Sequence, residues 1–327
     1  MFRIALAGLT VLASAIGAWA ADVSYYAVPA GTGPHDVAPA PDGTVWYTGQ
    51  RKGLLGRLDP GSGKAEEILL GSNSMPHGVI IGPDGAAWVT DGGLNAIVRV
   101  DPASRAVERF PLPREFPYAN LNTMTFDKKG IGWFTGQAGF YGRITPASAA
   151  NAAGAANVAG KVEVWKAPQG FGPYGITTTP AGEVWYASLA GDHIARIDTE
   201  SGAAGMVEPP RKGVGPRRIW SDSKGNLWVS LWNAGRVGRY DPTAKAWKTW
   251  QLPGSSHGCY SVYVDERDKV WLTDFSANAI VRFDPVTEAF DSFPSDKKGA
   301  SVRQMLGRAG EAWGAESGTN RLVVVRF

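Results

Sequence analysis

Cysteine, histidine and net charge are all scarce in this chain of 327 residues. Its single cysteine, Cys259, excludes an intramolecular disulfide framework, and a small buried apolar group is its expected role. Thirty-three lysines and arginines nearly cancel thirty acids, leaving a formal charge of +3. With that balance, and no basic stripe carrying interleaved aromatics, nucleic acid is not an expected partner. Four histidines are few enough that any histidine in a repeated slot is informative. Long apolar runs are missing too, with one exception at the amino terminus. There, residues 4–19 follow the lone charge Arg3 and end in Ala18-Trp19-Ala20. A short basic start, an apolar run and a small-x-small end read as a signal peptide, residues 1–20, cleaved after Ala20. The run is short and rich in Ala and Gly for a membrane span. A periplasmic or secreted bacterial protein is expected, with no membrane attachment after cleavage.

Glycine (42), proline (22) and tryptophan (13) are plentiful. Seven tryptophans, Trp46, Trp88, Trp133, Trp185, Trp228, Trp271 and Trp313, are separated by 42, 45, 52, 43, 43 and 42 residues. Each stands in the same phrase: a turn such as Pro-Asp-Gly, two residues, Trp, then a small or β-branched residue. A period of about 40–45 residues marks a propeller blade of four strands. Seven copies suffice to close a ring. The expectation is therefore an all-β, seven-bladed β-propeller forming one domain over residues 21–327. The second copy places strand A at 76–82, strand B at 86–91, strand C at 95–100 and strand D at 107–112. Pro-Asp-Gly makes the first turn and Asp101-Pro102 opens a type I turn between C and D. The last copy ends after strand C, whereas residues 23–29 resemble a strand D. The amino-terminal strand is thus expected to complete the last blade and protect its edge. Residues 147–160, almost all Ala, Asn and Gly, swell the C–D turn of blade three. They account for the 52-residue interval and read as a surface loop away from any site.

A role repeated in every blade belongs to the scaffold. The seven tryptophans fall in that class, and so do the strand C arginines Arg57, Arg99, Arg143, Arg196, Arg239 and Arg282, expected to pair with acids or polar groups between blades. Chemistry is sought where the blades differ. Eleven residues before each Trp, at the start of strand A, stand His35, His77, Asn122, Tyr174, Arg217, Tyr260 and Val302, with Arg303 beside the last. A slot that varies and is polar in six of seven copies suits a ligand-lining ring. Strand B ends on the same face with Gln50, Asp91, Gln137, Asp274 and Glu316. His35 and His77 offer a base near neutral pH. Asp91, Asp274 and Glu316 are candidate ligands for Mg2+, which favours oxygen donors. A polar, water-filled channel is the plain alternative. Asn122, Tyr174, Arg217, Tyr260, Arg303 and Trp232 are the expected substrate contacts. Arg114, Arg211, Lys212, Arg217, Arg218, Lys297, Lys298 and Arg303, with Phe116, Tyr118 and Trp232, make either an anion-attracting rim or a set of solvated charges.

The phrases Pro-His-Gly-Val (76–79), Pro-Tyr-Gly-Ile-Thr (173–177), Gly-x-x-Trp-x-Thr and Asn-x-Ile-x-Arg-x-Asp give the chain a family likeness. Blade by blade across residues 21–327, it resembles the streptogramin B lyase (virginiamycin B lyase) family. The resemblance implies a seven-bladed propeller and a Mg2+-dependent elimination that opens a cyclic depsipeptide antibiotic at its ester, an antibiotic-resistance activity. In that family a histidine in the Pro-His-Gly opening the last blade acts as base, helped by a Glu just past that blade's Trp. Here the last blade opens Ser301-Val302-Arg303-Gln304, and Glu316 alone matches the pair. Tyr260, with His257 three residues earlier, stands in the slot of the family's penultimate-blade histidine, and His35 replaces its first-blade Tyr. Because blades are related by rotation, His35, His77 and Asp91 would form a similar constellation turned about the axis. The expected protein is a monomer that binds a small cyclic or ester-containing molecule at the D–A/B–C face. His77 or His35 would serve as base, with Asp91, Asp274 and Glu316 near Mg2+. A non-enzymatic periplasmic binding propeller and a metal-dependent lactonase are the alternatives.

Overall fold

The structure, a computed structural model, describes residues 21–147, 160–254 and 258–327. Residues 1–20, read above as a signal peptide, nearly all of the 147–160 insertion and His257 lie outside those residues. The described residues form seven antiparallel sheets of four strands each. Six sheets are consecutive in sequence. The seventh joins β1 (Asp22–Ala27) to β28 (Arg321–Arg326), β27 (Glu311–Glu316) and β26 (Val302–Arg308). Asp22 faces Arg326 and Ala27 faces Arg321 across that seam, so the amino-terminal strand does complete the last blade.

The first strands of the blades are β2 (Pro34–Pro39), β6 (Pro76–Ile81), β10 (Leu121–Phe126), β14 (Pro173–Thr178), β18 (Pro216–Ser221), β22 (Cys259–Val264) and β26. Each touches the next and β26 touches β2, so together they wall the central channel. The blade tryptophans are buried between sheets. In six of the seven blades the acid of the A–B turn accepts a hydrogen bond from the Trp ring N–H. Trp88 donates to Asp84 (3.0 Å), Trp133 to Asp127 (2.9 Å), Trp228 to Asp222 (3.0 Å), Trp271 to Asp265 (2.9 Å), Trp185 to Glu183 (3.2 Å) and Trp313 to Glu311 (2.8 Å). That bond explains why turn acid and Trp recur together: a buried donor without a partner costs about 1–3 kcal/mol.

The strand C arginines are scaffold, as expected, but most act within their own blade rather than between blades. Arg99 binds Asp84 and Arg57 binds Asp42, each at 2.7 Å. Arg57, Arg143 and Arg282 also lie 5.3–5.6 Å over their blade's Trp. Arg143 does reach a neighbour, donating to the Thr199 carbonyl of blade four. Cys259 is fully buried, as its composition-level reading required.

A ring of bulges shapes the channel wall. In all seven blades the A–B pairing shifts register near the start of strand A, for example between Pro34 and Val37 and between Pro216 and Ile219. A bulge breaks the in–out alternation of a strand. In five blades the N–H it frees is taken by a hydroxyl on strand B: Asp36 N–H by Thr48 (3.0 Å), Gly78 by Thr90 (3.0 Å), Thr123 by Thr135 (3.3 Å), Arg218 by Ser230 (2.9 Å) and Ser261 by Thr273 (3.0 Å). The same hydroxyl then donates to the next blade, from Thr48 to the His77 carbonyl (2.8 Å) and from Ser230 to the Tyr260 carbonyl (2.8 Å). One side chain satisfies the bulge and staples two blades.

Candidate functional site at the channel mouth

Because of the bulge, two consecutive residues per blade reach the channel instead of one. The first is the slot eleven before the Trp, with one correction. In the last blade the A–B hairpin is a residue shorter, since Met305 faces Gly314 where Val37 faces Tyr47 in blade one. Val302 faces Glu316 just as Pro34 faces Gly49, so the slot residue of blade seven is Arg303, not Val302. The ring therefore reads His35, His77, Asn122, Tyr174, Arg217, Tyr260 and Arg303, polar throughout. The second position carries Asp36, Thr123 and Arg218. Of these only Arg218 entered the sequence reading, as a rim charge.

All of these side chains except Arg303, whose Nε donates to Ser317 Oγ (3.0 Å), join in one hydrogen-bonded circuit across the channel. Arg217 Nη2 donates to the Tyr174 hydroxyl (2.7 Å), which meets the Tyr260 hydroxyl at 2.8 Å. Tyr260 lies 3.5 Å from His35 Nε2. His35 Nδ1 donates to Asp36 Oδ1 at 2.7 Å. Asp36 also accepts from Arg218 Nη2, at 3.2 and 3.3 Å, from the far side of the ring. Arg218 Nη1 continues to Thr123 Oγ1, which donates to Asn122 (2.8 Å), and Asn122 Nδ2 donates to His77 Nε2 (3.2 Å). The two histidine rings are 4.0 Å apart. Asp36 and Arg218, each 1 % exposed, close the floor. Above them, Arg217 packs over Tyr260 (3.8 Å), Tyr174 (4.5 Å) and Trp232 (4.6 Å), while Phe275 stacks on Tyr260 at 5.0 Å. The expected contacts Asn122, Tyr174, Arg217, Tyr260, Arg303 and Trp232 are thus brought together with both histidines.

The charges follow from burial. Desolvation, aided by Arg303, Arg218 and Arg217, holds His35 well below its ordinary pKa. Desolvation and the neighbouring His35 do the same to His77. Both rings are neutral at pH 7. Hence the His35–Asp36 contact is a neutral imidazole N–H on a carboxylate rather than an ion pair. Burial pushes the Asp36 carboxyl up against the opposing pull of Arg218. Burial also opposes ionising Tyr260, but Arg217, Arg218 and Arg303 outweigh it and bring that phenol below its usual value. Three guanidinium groups lie 3.8, 5.6 and 5.9 Å from the Tyr260 ring centre. Among the described residues, the buried Nε atoms of Arg217 and Arg218 and His77 Nδ1 have no hydrogen-bond partner.

The predicted cation ligands do not join this cluster. Asp91 accepts from the N–H groups of Met75 (2.9 Å), Gly93 (3.0 Å) and Leu94 (2.9 Å) and from the Ser74 hydroxyl. Asp274 accepts from Gly254 N–H (3.0 Å), Ser276 Oγ (2.7 Å) and Ala277 N–H (3.0 Å). Glu316 accepts from Ser295 (2.8 Å), Thr319 and Arg321 Nε (2.8 Å). Each carboxylate caps its own B–C turn and ties down the loop before strand A. They are turn locks, and the constellation of His35 and His77 with Asp91 is corrected to one with Asp36. Among the described residues, His35, Asp36 and His77 alone bring three potential ligand atoms within 4.8 Å of one another. Two imidazoles, a carboxylate held by Arg218 and three nearby guanidinium groups do not fit Mg2+, which seeks several oxygen donors.

The fold and its mouth define a seven-bladed propeller with a basic, histidine-bearing channel entrance. The Virginiamycin B lyase family pattern matches residues 11–152 and 146–326, and the chain belongs to that family. Virginiamycin B lyase from Staphylococcus aureus superimposes with a TM-score of 0.83 at 21% identity, covering 94% of this chain and 99% of that one. A catalytically inactive His-to-Ala form of the same lyase, with quinupristin, gives 0.82 at 21% identity over 94% and 99% of the two chains. YCF48 bound to D1 peptide gives 0.71 at 14% identity over 93% and 97%. At these identities the likeness establishes the fold. No curated protein matches the sequence.

Proposed function

We propose that the chain is an exported, monomeric member of this family whose channel mouth binds a small molecule through an anionic group. One observation carries the reading: three arginines share the ring with a single carboxylate and two neutral histidines. Buried charge without a counter-charge is costly, and two guanidinium groups here are left uncovered. An oxyanion would supply the counter-charge that Arg217 and Arg303 lack and take the unpartnered Nε–H of Arg217. Calorimetric titration with acetate and phosphate tests this. Binding lost in Arg217→Gln and Arg303→Gln is the expected result, and no heat with either anion would sink it.

A second reading, ring-opening elimination on an ester or lactone, is favoured by the His35–Asp36 contact. With its Nδ1–H on Asp36, neutral His35 presents Nε2 as the basic nitrogen, the arrangement a general base needs. Arg217 and Arg303 would offset charge developing on the carbonyl oxygen. Two solved relatives are named as a virginiamycin lyase and as a lyase variant with quinupristin, which makes that antibiotic class the first substrate to try. Elimination opens the ring at unchanged mass, whereas hydrolysis by a lactonase adds one water. Turnover that persists in His35→Gln would exclude His35 as the base.

A further inference from the structure

We infer that the molecule taken at the channel mouth is amphipathic: an oxyanion head, carboxylate or phosphate, on an apolar body. This rests on the anion-binding reading above and adds the class of molecule.

The D–A loops around the mouth are polarised. Arg217 and Arg303 enter from blades five and seven, and the loops of those blades add Arg211, Lys212, Lys297 and Lys298. The loops before strand A of blades two, three and four instead hold Met75, Tyr118 and Phe171 out to solvent, at 55, 61 and 70% exposure, and their one basic residue, Arg114, is adjacent to Glu115. Among the described residues five large apolar side chains are at least 55% exposed, and three of them stand on these three consecutive loops.

The loops are also braced. The Met75 N–H is fixed to Asp91, and Asn95 clamps both sides of Tyr118, donating to the Phe116 carbonyl (2.8 Å) and accepting from Ala119 N–H (2.9 Å). On either side of Phe171, Gly170 N–H donates to the Ala167 carbonyl and Gly172 N–H to the Gln137 carbonyl, each at 3.0 Å. Apolar groups held outward on fixed loops, on the same face as the arginines, mark a surface that is covered in use. The charge on the opposite arc sets the polarity of what covers it: head toward blades five and seven, body over blades two to four. A compact inorganic anion would leave the apolar arc wet.

The experiment is calorimetric titration with acetate, phosphate, octanoate, 4-phenylbutyrate and the neutral control 1-octanol. Octanoate and 4-phenylbutyrate are expected to bind at least about tenfold tighter than acetate, because their bodies cover apolar surface. The double variant Tyr118→Ser/Phe171→Ser should bring both down to the acetate value without changing acetate binding. Both positions are solvent-exposed, and an unchanged thermal melt verifies that the variant is folded. Equal affinities for acetate and octanoate, both lost in Arg217→Gln, would overturn the amphipathic inference and leave the anion reading standing. Octanol binding as tightly as octanoate would overturn it too. If none of the anions binds, both readings fall.

Discussion

Asp36 and Arg218 hold the floor of the mouth as a buried pair drawn from opposite sides of the ring. Removing one partner of such a pair leaves an uncompensated charge, at a typical cost of about 3–5 kcal/mol. Arg218→Met should destabilise the protein by that order in urea unfolding, and adding Asp36→Asn should recover most of the loss. An additive double variant would show that the pair is not coupled. The histidines make a separate prediction. Their folded pKa values lie below the unfolded value near 6.5, so the unfolded chain takes up protons first. Their contribution is present above about pH 6.5 and is lost as pH falls through that value. Asp36, raised in the fold by burial, acts with the opposite sign. The melting temperature should therefore drop between pH 7.5 and 5.5, and His35→Gln should flatten that slope. Of these residues, the histidines were legible from a varied polar slot. Asp36 was not, because strand alternation sends a neighbour outward. The adjacent polar doublets His35-Asp36, Asn122-Thr123 and Arg217-Arg218 were the visible trace of a bulge.

The bulged first strand is the element on which the site depends. Thr48 satisfies the Asp36 N–H and reaches the His77 carbonyl, joining the blades that carry the two histidines. Thr48→Val keeps the shape but strips both bonds, and should cost about 1–3 kcal/mol in chemical denaturation. Blades four and seven carry Ala187 and Ala315 at the equivalent position and lack this staple. Strand positions, turns and the closing strand were readable because period and turn chemistry are local. Counting from the Trp failed in blade seven, where a shorter hairpin moved the slot to Arg303. The acids ending strand B were misread for a related reason. A carboxylate that caps a turn and one that faces a channel have the same sequence position, and only the direction of the loop separates them.

At the scale of the whole molecule, the ring needs no cation to hold its acids apart, since Asp91, Asp274 and Glu316 are each satisfied by local donors. Added Mg2+ or EDTA should leave the melting temperature unchanged, and a clear shift with either would contradict the turn-lock assignment. Deleting residues 21–29 should lower the melting temperature sharply, because it strips an outer strand from the last blade and bares β28 as an edge. The same seam has a topological consequence. With Asp22 opposite Arg326, the two ends of the described chain sit side by side as in an ordinary strand C to strand D hairpin. A short linker from residue 327 to residue 21 would turn the protein into a covalent circle with no natural starting blade. New termini opened at the exposed C–D turn of another blade, such as residues 243–244, should yield a circular permutant that folds to the same propeller with its seam moved.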